Sequence, residues 1–280
     1  NPLVKAFKDV FVISNAQSSL VPTAFYGGYA TMALPAALFI RRFSYKSGIL
    51  VGLALYATGA LLALPAASQA NFNLFLVALY VLTFGLAFLE TTANPYILSL
   101  GPPETATRGL NLAQAFNPIG SLTGMAVASL IILQSLDVED FRGDLGHYQK
   151  TQPTQQDPSL SDSLATLDTA RVAEGSASIK ELPYGVALAE SLTAFKEGSL
   201  ESFQGKSYEE MRAHDLSIIK TPYVVIGLVV IGVWVAFLMT PMPQRTQESV
   251  CLPLAQTFAM LFRNKRYLEG VIAQGFYVGA

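Results

Sequence analysis

Apolar residues in this chain come in blocks. Residues 16–40, 47–70, 73–100, 110–136 and 221–240 each hold roughly 20 or more residues with little or no charge. A helix needs about 20 such residues to cross the hydrocarbon core of a bilayer. One run alone could be a buried core helix. Five in one chain predict an all-α, polytopic membrane protein.

The polar breaks between the blocks set the expected topology. Residues 41–46 (RRFSYK), 101–109 (GPPETATRG) and 241–267 alternate onto one side of the membrane. Together they hold eight Lys or Arg, Arg245, Arg263, Lys265 and Arg266 among them. The short break near 70–72 on the other side holds none. Short cytoplasmic loops carry the excess of Lys and Arg, which places the three basic loops in the cytoplasm. The segment 137–220 then falls on the extracytoplasmic side. It holds 15 of the chain's 20 Asp and Glu against eight Lys and Arg. Loops this long report little on orientation, so its charge does not oppose the assignment. Its middle (TQPTQQDPSLSDS) reads as irregular, whereas 184–204 carries apolar residues at near-helical spacing. The segment is expected to be a solvated loop with one or two surface helices. The alternative is a lid over an outer vestibule.

Composition narrows the class further. The chain is 51% hydrophobic and 14% charged, against about 25% charged in a typical soluble domain. A net charge of −2 gives no basis for nucleic-acid binding. Cys251 is the lone cysteine, so no intramolecular disulfide can form. His147 and His214 both lie in the polar segment, and no metal-ligand spacing occurs, so no metal or cofactor is predicted. The first apolar run lacks a basic leader and is too long for a signal peptide. The chain opens on Asn1, and residues 268–280 (LEGVIAQGFYVGA) begin an apolar stretch too short to span. Both ends are therefore expected to lie inside a larger protein. The expected organisation is an amino-terminal transmembrane bundle (1–240), a cytoplasmic linker (241–267) and the start of a second bundle (268–280).

Candidate chemistry sits inside the spans. Outside the long polar segment only Asp9, Glu90, Glu104, Glu248 and Glu269 are acidic, and only Glu90 lies well inside an apolar run. A carboxyl group at that depth must be protonated, paired or hydrated, and such residues mark ion and proton pathways by default. The alternative is a protonated side chain bonded to a neighbouring helix. Asn94 follows four residues later on the same helix face. Pro95 removes a backbone donor there, so Asn94 either satisfies the freed backbone group or lines the cavity of Glu90. In the next span Asn111, Gln114, Asn117 and Ser121 form one polar face. Amides donate and accept hydrogen bonds, which suits an uncharged, polyhydroxylated ligand, or alternatively interhelical bonding. Gly120 with Gly124, and Gly48 with Gly52, read as close helix-packing pairs. Tyr26 and Tyr29, with Phe25, are candidate stacking platforms for a sugar ring.

The stretches Leu89–Tyr96 (LETTANPY) and Leu110–Asn117 (LNLAQAFN), with FYGGY at 25–29 and SYKSG at 44–48, resemble the L-fucose permease family. This is the fucose–galactose–proton symporter branch of the major facilitator superfamily. The resemblance covers about 16–136 and, more loosely, 221–280. It implies the amino-terminal part of a twelve-helix carrier, comprising helices 2 to 6 and the start of helix 7, working by alternating access as a monomer in the inner (plasma) membrane. By position in the motifs, the protonatable glutamate falls on Glu90 and the sugar-contacting amides on Gln114 and Asn117. Asn94 lies in the same motif, and Asn111 and Tyr26 complete the candidate set. The implied partners are a small sugar, L-fucose or a related hexose, a coupling proton and the lipid bilayer. The loop after the second helix departs from the superfamily pattern, with Arg41 where an Asp is usual. Two rivals stay open: a sodium-coupled glucose or galactose carrier, and a membrane sugar sensor that does not transport. With no His or Cys and one deep acid in the spans, an enzyme is not expected.

Overall fold

In the computed structural model, residues 2–100, 102–150, 161–200, 202–242 and 254–279 are described. Part of the stretch read as irregular (151–160), together with Arg245, Glu248 and Cys251 of the linker, lies outside them. The chain divides into two compact units, Asn1–Pro243 and Gln244–Ala280.

The first unit is built from helices α1 (Pro2–Phe11), α2 (Asn15–Ser18), α3 (Leu20–Arg42), α4 (Tyr45–Ser68), α5 (Phe72–Leu100), α6 (Pro103–Gln114), α7 (Phe116–Val127), α8 (Asp137–Lys150), α9 (Ser161–Ala173), α10 (Tyr184–Glu197) and α11 (Tyr208–Met239). Among the described residues there is no strand, only one isolated bridge between Phe203 and Lys206. Five helical stretches are long and apolar enough to cross a membrane: Asn15–Arg42, Tyr45–Ser68, Phe72–Leu100, Glu104–Ser135 and Tyr208–Met239. They coincide with the five apolar runs. Helix starts follow local chemistry. The Ser44 hydroxyl accepts from the Ser47 amide at α4. At α11, Ser207 and Glu210 form a reciprocal capping box. The helix α11 has 32 residues, about 48 Å at the α-helical rise. That exceeds the roughly 30 Å hydrocarbon core, so its charged first turns stand clear of the membrane.

The membrane helices are brought together by small residues. An added methyl group at Gly48 would come within 2.7 Å of Thr92, and one at Gly52 within 3.0 Å of Leu89. Further along, Gly59 meets the backbone of Leu82, and Gly85 meets that of Tyr56. With no side chain between them, the α4 and α5 backbones nearly touch, which is how helices gain van der Waals contact in lipid. The helix α11 joins through Trp234, whose indole N–H donates to the Leu50 carbonyl at 3.0 Å. At its end, Lys46 Nζ donates to the Leu238 and Thr240 carbonyls, at 3.0 and 2.8 Å. These are carbonyls that the last helical turn leaves without partners.

The pairing read for Gly120 and Gly124 is corrected. Nothing lies within 4 Å of a methyl group at either position, and no residue of α7 from Phe116 to Val127 is buried. The fourth run also breaks at Ala115 and closes with a π-helical turn, Ala128–Ile132, followed by a 3-10 turn, Leu133–Ser135. Pro118 accounts for the first break, since it lacks the N–H that would bond the Gln114 carbonyl.

The polar segment is not a solvated loop either. Val138, Phe141 and Leu145 of α8, Leu164 and Leu167 of α9, and Leu188, Leu192 and Phe195 of α10 are buried in one core. Phe7, Val10 and Phe11 of α1 join it, as do Phe75 and Ala78 of α5. This polar subdomain is therefore a folded helical layer rooted on the ends of the membrane helices. In the second unit, α12 (Leu254–Arg263) and α13 (Lys265–Gly279) meet at Asn264. Its side-chain oxygen accepts from the Tyr267 amide at 3.4 Å and so starts α13.

Candidate functional site

Glu90 and Asn94 lie one turn apart on α5, before and after the buried Thr92 that packs against Gly48. Glu90 lies well inside its span, and its side chain is exposed rather than covered by neighbouring helices. An open carboxylate in a span can be hydrated, which removes most of the cost of carrying charge at that depth. Its described neighbour is Tyr29 of α3, whose hydroxyl interacts with the Glu90 carboxylate by charge and hydrogen bonding. Tyr29 packs on Phe25 with ring centroids 5.6 Å apart. Two residues further along α3, Thr31 shares a hydrogen bond of 2.9 Å with Tyr80 that ties α3 to α5. Gly28 makes this approach possible, since a methyl group there would come within 2.9 Å of Thr83.

The structure thus brings Tyr29 to Glu90, and not Tyr26. Tyr26 is 66% exposed and packs edge-on against Phe25. Asn111, Gln114 and Asn117 are exposed along α6 and α7. Among the described residues, no side-chain hydrogen bond joins Asn94, Asn111, Gln114 or Asn117 to another protein group. The amide row is therefore not consumed by interhelical bonding. Its donors and acceptors remain available to water or a ligand. Tyr29 was visible in the sequence as an aromatic in a span, but nothing local tied it to an acid 61 positions away.

A second polar cluster lies in the polar subdomain. The Asp215 carboxylate, fully buried, accepts from the amides of Asp137 and Val138 at 2.7 and 3.0 Å. It thereby caps the start of α8 from α11, satisfying donors that helix starts leave open. Asp137 receives Lys206 Nζ at 2.6 Å and faces His214 Nδ1 at 3.1 Å. The three ligand atoms of Asp137, His214 and Asp215 lie within 4.8 Å of one another. They already serve a lysine ammonium and two amides, which fits a structural knot better than a metal centre.

Comparison with known proteins places the chain among transporters. Residues 1–139 match the family model of the Major Facilitator Superfamily. An L-fucose-proton symporter of Haemophilus influenzae is 43% identical over 282 residues, covering 100% of this chain and 54% of the relative. A Brucella abortus glucose/galactose transporter is 43% identical over 133 residues, covering 48% of this chain and 32% of the relative. A crystal structure of the Escherichia coli fucose:proton symporter superposes with a TM-score of 0.62 at 27% identity, covering 99% of this chain and 56% of that one. The chain, matched along its whole length, spans about half the length of the Haemophilus relative. It belongs to the major facilitator superfamily, in the fucose permease family.

Proposed function

We propose that this chain is the amino-terminal half of a sugar:proton symporter that works by alternating access, with L-fucose or a related hexose as its substrate. Glu90 takes up and releases the coupled proton, with Tyr29 orienting its carboxyl group. Gln114 and Asn117 hold sugar hydroxyls, and Asn94, Asn111 and Tyr26 line the same central cavity. The carrying observation is an exposed carboxylate within a span, followed in the next span by an amide row that hydrogen-bonds no other protein group among the described residues. Polar side chains at that depth are expensive unless they line a hydrated path for solutes or ions. In this reading the loops at 41–46, 101–109 and 241–267 face the cytoplasm, and the polar subdomain faces outward from the inner membrane.

The test separates coupling from binding. In the intact carrier, Glu90→Gln abolishes accumulation of sugar against a gradient and retains exchange between equal pools. Accumulation by Glu90→Gln at the wild-type level would remove the coupling role. Glucose or galactose is the second substrate reading, favoured by the Brucella relative. The match over the whole chain, polar subdomain included, favours fucose. Competition of each sugar against labelled L-fucose uptake decides between them.

A further inference from the structure

A cavity of about 420 Å³ opens between the end of α1 and the polar subdomain. Its polar wall consists of Lys8, Asp9 and Ser14, with Arg142 from α8 and Thr193 from α10. Ile13, Leu188 and Leu192 contribute apolar surface. The volume falls within the roughly 300–1,000 Å³ usual for small-molecule sites. The cavity is separate from Glu90 and the amide row, none of which lines it.

The charges on this wall select a ligand class. Arg142 is held in place: its guanidinium pairs with Glu139, and its backbone carbonyl accepts from the Tyr184 hydroxyl at 2.9 Å. Its Nε is ion-paired with Asp9 Oδ2 at 3.6 Å, is shielded from solvent, and has no hydrogen-bond partner among the described residues. Lys8 has no ion pair among the described residues, and Asp9 is buried. An anion entering here meets the Asp9 carboxylate. A cation meets Lys8 and Arg142. A neutral polyol meets both with advantage, because each hydroxyl donates and accepts. The leucine and isoleucine surface suits the C–H face of a sugar ring.

We infer that this cavity is a second sugar site, holding one neutral monosaccharide outside the membrane spans. The inference rests on the reading of the chain as part of a sugar carrier. In that reading the site lies on the side from which the sugar enters, and it holds substrate before the central cavity takes it up.

The test is equilibrium binding of L-fucose and D-galactose to the purified full chain in lipid nanodiscs. Gln114→Ala with Asn117→Ala removes the central amides, and the chain retains one bound sugar. Adding Ala189→Trp, which fills the cavity from its exposed wall, weakens that remaining binding by at least about tenfold. Lys8→Ala, which removes one donor without adding bulk, weakens it in the same direction. If the double alanine chain binds no sugar, the second site is wrong and the central reading stands. If Ala189→Trp alone abolishes all binding, the cavity stands and the central reading fails. Sugar binding untouched by both Ala189→Trp and Lys8→Ala overturns the inference, as does binding of D-galacturonate in preference to the neutral sugars.

Discussion

The membrane helices and the polar subdomain solve the same packing problem in two solvents. Between α4 and α5, glycines bring backbones together, and the contact is one of shape. In the polar subdomain, Phe141, Leu145, Leu192 and Phe195 close an apolar core, and buried carboxylates satisfy backbone amides, Asp215 at the start of α8 and Asp168 in the turn between α9 and α10. The difference follows from what drives each. Water pushes apolar side chains together, whereas lipid tails are as apolar as leucine and give no such push. Association in the bilayer must come from close fit, so a missing side chain can matter more there than a present one.

The largest expected effect tests that contrast within the membrane. Gly85→Leu inserts a side chain where the Tyr56 backbone already sits. Overpacking typically costs 1–3 kcal/mol, and roughly the upper end is expected because backbone must move. Gly124→Leu, in open space on α7, changes stability by less than about 0.5 kcal/mol. Unfolding in detergent, followed by helical circular dichroism, measures both. Equal effects would mean that Gly85 and Gly124 do not differ as the structure describes.

That contrast also marks the limit of sequence reading. Gly48 with Gly52 and Gly120 with Gly124 share one spacing, which alone predicts packing for both, yet only the first pair meets a neighbouring helix. Which helix face meets a neighbour depends on tertiary arrangement, and the pattern along one helix does not contain it. The five spans were legible because a bilayer demands unbroken apolar length. The polar subdomain was harder, since its apolar residues are sparse and charge dominates its composition. Val138, Phe141 and Leu145 do recur at helical spacing, and that was the available signal. Their partners Phe7, Val10 and Phe11 lie more than 120 positions away. At the candidate site, Glu90 and the amide row were legible as polar exceptions in apolar runs. The pairing of Glu90 with Tyr29 joins two helices and was not.

A smaller effect is expected at the junction of the two regions. Asp215 belongs to α11 yet caps α8 through two amides. Asp215→Ala leaves those buried donors without partners, at a cost of about 1–3 kcal/mol. The loss should fall on the polar subdomain, with α4 and α5 unchanged. Hydrogen exchange resolves the two: amides of α8 lose protection and those of α4 keep it. A uniform loss across both would show that the subdomain and the bundle unfold as one unit, and that the division by solvent does not extend to stability.

The smallest effect lies wholly inside the polar subdomain. Asp168 accepts from the Tyr148 hydroxyl at 2.9 Å, from the Ser178 hydroxyl at 2.9 Å and from the Ile179 amide at 2.7 Å. Burial, and then the hydrogen bond to Asp168, pushes the Tyr148 phenol well above its ordinary value. A group that holds its proton more tightly when folded contributes fully below its unfolded pKa, about 10 for tyrosine, and loses that contribution as pH rises past it. Tyr148→Phe removes one of three bonds and costs roughly 1 kcal/mol at neutral pH. The gap between wild type and variant should then shrink as pH is raised to about 11, because the unfolded wild type ionises there while the folded phenol keeps its proton, and the variant has no such group. Exchange protection of α8 and α9, measured at both pH values, reads the gap directly. A gap that stays constant would assign the cost to lost packing of the ring edge, and would place Asp168 with the shape-determined contacts of the membrane helices.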